Sequence, residues 1–238
     1  MKLKSITYLA VAVFLMAAAT IAAQTISYSC DSSGNQIKRE MTKYPTQTNF
    51  MEKNTRRHLV LHLNMPLQPM HRHSLEDHIE NVMGQRKLGE VTGGGTALNE
   101  EKGCVESCDI EIDLFNPSDD RLRDLADLIN QIGVAKGSAL ICRDTGEEIS
   151  VGTLEGMALY LNGTELPDEV YASSDINELI DRLLAAMDGL GALYSSWEGR
   201  EWTVLYFYGE SFEKMKESIL PVVATYPLCA KSRIEQNA

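Results

Sequence analysis

Between Cys108 and Cys142 the chain reads CDIEIDLFNPSDDRLRDLADLINQIGVAKGSALIC, an order of patterns that admits few folds. Ile110, Ile112 and Leu114 alternate with Asp109, Glu111 and Asp113. A period of two sends the apolar set to one face of a strand and the carboxylates to the other. Asn116 and Pro117 stop the strand, because proline has no N–H for the ladder. Ser118 is placed as an N-cap, with Asp119 and Asp120 in the first turn, where the helix dipole favours negative charge. Leu122, Leu125, Leu128, Ile129 and Ile132 recur at helical spacing, and Gly133 can close the helix in a left-handed conformation. Gly137 to Cys142 supplies a short second strand.

A gapless shift of 94 positions lays Asp109 on Thr203, and Leu125, Leu128, Ile129 and Ile132 on Ile219, Val222, Val223 and Tyr226. Identity is low, so the repeat is one of pattern. The rest of the chain completes it twice. His58, Val60 and His62 alternate with Leu59, Leu61 and Leu63 as a first strand. Ser74 is read as the cap of a helix carrying Leu75, Ile79, Val82 and Met83. GEVTGGGTAL is read as a short strand with a flexible bend at Gly93 to Thr96, ahead of the stretch above. Later, Met157, Leu159 and Leu161 begin a strand, and Ser174 or Asp175 caps a helix from Ile176. Strands at Ala192 to Trp197 and Trp202 to Tyr208, a helix from Ser211 to Tyr226 and a last strand follow. The predicted class is α+β: two tandem ferredoxin-like βαββαβ repeats, with antiparallel sheets covered by helices on one face. Their bounds are 58–145 and 155–238, behind a signal peptide at 1–23 and a polar linker at 24–57.

The signal peptide is read from Lys2 and Lys4, the apolar run Ile6 to Ala19 and small residues around Ala22 and Ala23, and implies a periplasmic or secreted protein. The competing readings are an uncleaved anchor and a cytosolic protein starting at Met41 or Met51. With 44% hydrophobic residues the chain can bury one or two cores. Its net charge of −12 argues against nucleic acid and anionic membrane as partners, although it serves solubility equally well. The GGGT segment Gly93–Thr96, the strand Cys108–Leu114 and the approach Gly133, Lys136, Gly137, Ser138 resemble those of uncharacterised bacterial proteins. That resemblance spans most of 58–236 and implies the fold, with no activity attached.

In this topology the first and third strands are neighbours. His58 and His62 would therefore share the open face with Asp109, Glu111 and Asp113. Two imidazoles and three carboxylates there would suit a divalent metal or an acid–base pair; the simpler reading is a solvated face of complementary charges. Met65, Met70, His71, His73 and His78 form a second cluster of the kind that handles copper or silver, or simply lead into a helix. Cys104 and Cys108 would form a disulfide in an oxidising compartment, and five cysteines leave an odd thiol. Trp202, Val204, Tyr206 and Tyr208 form an aromatic face that needs a cover. The expected cover is the other half or a second subunit in a homodimer. The alternative is a partner or ligand surface of Trp197, Trp202, Tyr206 and Tyr208. No catalytic residue stands out. The sequence favours a non-enzymatic binding protein with no bound cofactor, for a protein or small-molecule partner, by fold analogy immunity-like. The alternative is a metal-dependent enzyme or metal carrier.

Overall fold

The computed structural model describes residues 55–99 and 104–238. The signal peptide, almost all of the linker, Cys30, Met41 and Met51 lie outside the described residues. The chain is α+β, with two antiparallel sheets and five α-helices among the described residues. The first half runs β1 (Arg56–Leu63), α1 (Pro69–Gln85), β2 (Gly89–Asn99), β3 (Cys104–Phe115), α2 (Asp119–Ile132), β4 (Ser138–Cys142) and β5 (Glu148–Val151). The second runs β6 (Glu155–Asn162), α3 (Asp168–Ser173), α4 (Ile176–Met187), β7 (Gly191–Glu198), β8 (Trp202–Gly209), α5 (Phe212–Thr225), a 3-10 turn and β9 (Arg233–Gln236). Strand orders are β2-β3-β1-β4-β5 and β7-β8-β6-β9, so both halves place their strands in the same sequence apart from the added β5. The bounds of α5 repeat those of α2 ninety-three residues on.

Local chemistry explains the main boundaries. Ser118 Oγ accepts from Arg121 N, and Gly133 closes α2 at φ 89°. Asp175 caps α4 by accepting from Asn177 N, and Ser211 caps α5 by accepting from Lys214 N. These bonds satisfy amides that the first helical turn leaves without partners. Two expectations fail. Helix α1 starts at Pro69, whose fixed φ suits the first helical turn. Ser74 is thus inside the helix, and its Oγ donates to the Met70 carbonyl oxygen. The Gly93–Thr96 segment is no bend but part of β2, paired with β3. Its glycine at 94 is required by packing: a Cβ there would lie 2.3 Å from Glu76 Oε1 and 2.7 Å from the Asp109 carbonyl oxygen.

Each sheet buries the face predicted by its period of two. Leu59, Leu61, Leu63, Ile110, Ile112 and Leu114 pack beneath α1 and α2 with Ile79, Met83, Leu125 and Ile129. Met157, Leu159, Leu161, Leu205 and Phe207 pack beneath α4 and α5 with Leu179, Leu183, Met215 and Ile219. The second sheet also buries its other face. Ala158, Val204, Tyr206 and Tyr208 join the first half's core, beside Met65, Leu67, Val134 and Ala135. Around this seam the Tyr194 hydroxyl donates to the Gly133 carbonyl oxygen, and Gln68 donates to Ser195 Oγ and to the Ser196 carbonyl oxygen. Lys136 pairs with Glu155 at 2.7 Å, and the other Glu155 oxygen accepts from Phe212 N. Lys136 and that amide together hold the Glu155 carboxyl below its ordinary value.

Candidate functional site

The open face of the first sheet carries the predicted polar group, and the register says how. His58 stands opposite Asp113 and His62 opposite Asp109 across β1 and β3, with Val60 opposite Glu111 between them. His58 Nδ1 lies 2.5 Å from Asp113 Oδ1, and His62 Nδ1 lies 2.7 Å from Asp109 Oδ1. Arg56 joins the first pair by donating to Asp113 and to Glu90 on β2. Glu111 pairs with Arg143, beyond the end of β4. The contacts on this face therefore join four carboxylates, Glu90, Asp109, Glu111 and Asp113, to two guanidinium groups and two imidazoles. Asp113 is only 8% exposed at its side chain, so it anchors the network; His58 remains 59% exposed and offers its outer nitrogen to solvent.

These distances separate the predicted metal ligands. His58 and His62 are four strand residues apart, about 13 Å of rise. Each imidazole turns to its own aspartate, and Glu111 turns to an arginine. Among the described residues no group of three or more His, Cys, Asp or Glu side chains converges as a metal site. The second histidine cluster also disperses along α1. His71 Nδ1 contacts Ser195 Oγ at 3.1 Å across the seam between halves, and His73 contacts Glu76 at 3.2 Å. Burial lowers the His71 pKa, favouring the neutral ring.

The aromatic surface meets a different fate. Tyr206 is 5% and Tyr208 1% exposed, so neither is offered to a partner. Tyr208 stacks edge-on against Tyr194 at 5.3 Å and its hydroxyl accepts from Asn237. Trp202 packs edge-on to Tyr160, with the Arg233 guanidinium over both rings. Trp197 is half-buried at the edge of the first half's core. Of the expected surface of Trp197, Trp202, Tyr206 and Tyr208, the two tyrosines thus lie in an internal seam, while both tryptophans stay partly exposed at its margin. An alternating aromatic strand must be covered, but its pattern does not say by what. The sequence reading overlooked Arg56, Glu90 and Arg143, whose facing positions follow only from the pairing of β2, β3, β1 and β4.

Cys108, Cys142 and Cys229 are free and buried. The disulfide expected between Cys104 and Cys108 is therefore replaced, at Cys108, by a thiol that donates to the Met65 carbonyl oxygen. Burial pushes the Cys108 thiol up to about 12 and that of Cys229 to about 11, away from reactive thiolate. No helix of the described residues is long and apolar enough to cross a membrane.

No protein-family model matches the chain. No curated protein matches it either. Among solved structures it is similar to a Fusobacterium nucleatum protein named provisionally as a monooxygenase, at 12% identity over 77% of this chain and 91% of that one, with a TM-score of 0.26. The regulatory subunit of aspartate kinase from Thermus thermophilus matches at 13% identity over 68% and 91%, TM-score 0.23. The first two RRM domains of yeast poly(U) binding protein match at 8% identity over 76% and 99%, TM-score 0.21.

Proposed function

We propose that the halves are tandem ferredoxin-like units, and that the protein is an exported, non-enzymatic binding module working through the open face of its first sheet. The partner is a protein or small ligand with a positively charged contact surface. One observation carries the reading: the second sheet's outer face is occupied by the first half, whereas the first sheet's outer face presents charged side chains at strand spacing. Four carboxylates against two arginines leave an acidic excess, in keeping with the chain's net charge of −12. Such complementarity steers association and is weakened by salt.

The test uses the full chain immobilised beside an Asp109→Lys, Glu111→Lys variant, with Asp113 left intact because it is buried. The reading expects a partner from the source organism's extract that elutes at raised salt and binds the variant at least tenfold more weakly. A bound set indifferent to both salt and charge reversal refutes it. The mature N-terminus, read by mass spectrometry, tests export; a chain starting at Met1, Met41 or Met51 refutes a cleaved leader.

A further inference from the structure

The two sheets have four edge strands among the described residues, and three are short, charged or already engaged. Strand β5 is four residues long and begins with Glu148. Strand β9 is four residues long and carries Arg233 and Glu235. At β7, Gln68 already donates to the Ser196 carbonyl oxygen. Edge strands left bare recruit other strands, and shortness, charge and cover are the usual protections. Strand β2 is the exception. It has eleven residues, and from Val91 to Asn99 none is charged or proline. Helix α1 covers one face of β2, since Arg72 and Glu76 reach Gly94 and Thr96. From Gly93 to Leu98 its outer edge has no backbone partner among the described residues.

The sequence of this edge points to one occupant. Thr92-Gly93-Gly94-Gly95-Thr96 reads identically in both directions. An antiparallel pairing about Gly94 would set Gly93 against Gly95 of a second copy, with no charged side chains opposed across the run. Irregularities at Thr92 and between Ala97 and Leu98 bracket a regular run from Gly93 to Ala97, which pairs only with β3 among the described residues. A second observation concerns apolar surface. Leu98, 60% exposed, and Met70, 51% exposed, are the most exposed large apolar side chains among the described residues. Both lie two residues from the Arg72–Thr96 hydrogen bond that ties the start of α1 to this end of β2.

We propose that β2 is a homodimerisation edge, pairing antiparallel with β2 of a second copy to join two five-stranded sheets into one. This inference does not depend on the binding function above. Gly95 supplies the test, because a Cβ there meets nothing within 4 Å and Gly95→Lys is sterically free in the monomer. In the dimer it would place two ammonium groups beside the two-fold axis. Sedimentation velocity on the full chain should show a concentration-dependent dimer. Gly95→Lys should raise its dissociation constant at least tenfold, while Glu169→Lys, on α3, leaves it unchanged. Hydrogen exchange should show β2 amides protected in wild type and released in Gly95→Lys, with other strands unaffected. A wild-type chain that stays monomeric, or a dimer unmoved by Gly95→Lys, overturns the proposal.

Discussion

Truncating Tyr208 to alanine tests whether the second sheet's outer face is core. The side chain is 1% exposed and lies among residues of both halves. Removing a fully buried large aromatic costs about 3–5 kcal/mol, through lost transfer energy and the cavity left behind. For a chain of this size that corresponds to a fall in Tm of roughly 6–20 °C. Tyr208→Phe separates packing from polarity. It removes only the hydroxyl that accepts from Asn237 Nδ2 at 3.0 Å, a net loss of about 1 kcal/mol. Urea denaturation followed by circular dichroism and by tryptophan fluorescence supplies both numbers, and the two probes should report one transition because the seam couples the halves. A loss below about 0.5 kcal/mol for Tyr208→Ala, the range of exposed sites, would refute an internal seam. So would two separate transitions in the wild-type protein.

Adjacent glycines should behave oppositely. Gly94→Ala meets Glu76 and the Asp109 backbone and should cost about 1–3 kcal/mol by overpacking, whereas Gly95→Ala, with open space around it, should be nearly neutral by the same urea assay. His71 has a pKa lowered by burial, so the unfolded chain binds its proton first as pH falls. The associated stability is full above the unfolded value and is lost as pH falls through it toward the folded one; urea midpoints across that range should fall less steeply in His71→Gln. Cys108 and Cys229 should resist a disulfide-exchange reagent at pH 8 in the native protein and react promptly in urea, since burial holds both as thiols; rapid native labelling would contradict their placement.

Patterns fixed by backbone geometry were legible in the residues; those fixed by long-range packing were not. Alternation in Asp109–Leu114 gave the strand and its two faces, and topology then put His58 and His62 beside that strand. The register adds that each histidine takes a different aspartate, which spacing along one strand cannot reveal. Ser74 resembles a cap because its chemistry suits one, yet Pro69 starts the helix earlier. The glycine run suggested flexibility, because glycine tolerates most conformations. What selects glycine at 94 is the nearness of Glu76, a residue eighteen positions earlier. Tyr206 and Tyr208 read the same whether they meet a partner or their own chain, since local sequence records an apolar face but not its neighbour.

The seam at Tyr206 and Tyr208 makes the two halves unequal. Residues 155–238 expressed alone would have a wet aromatic wall and would tend to precipitate, while residues 55–151 alone would lose the lid over Met65 and Leu67. Tolerance to substitution differs between the halves accordingly. Substitutions on the outer side of β8 must preserve shape against a fixed neighbour, whereas those on the outer sides of β1 and β3 can drift with whatever the molecule meets.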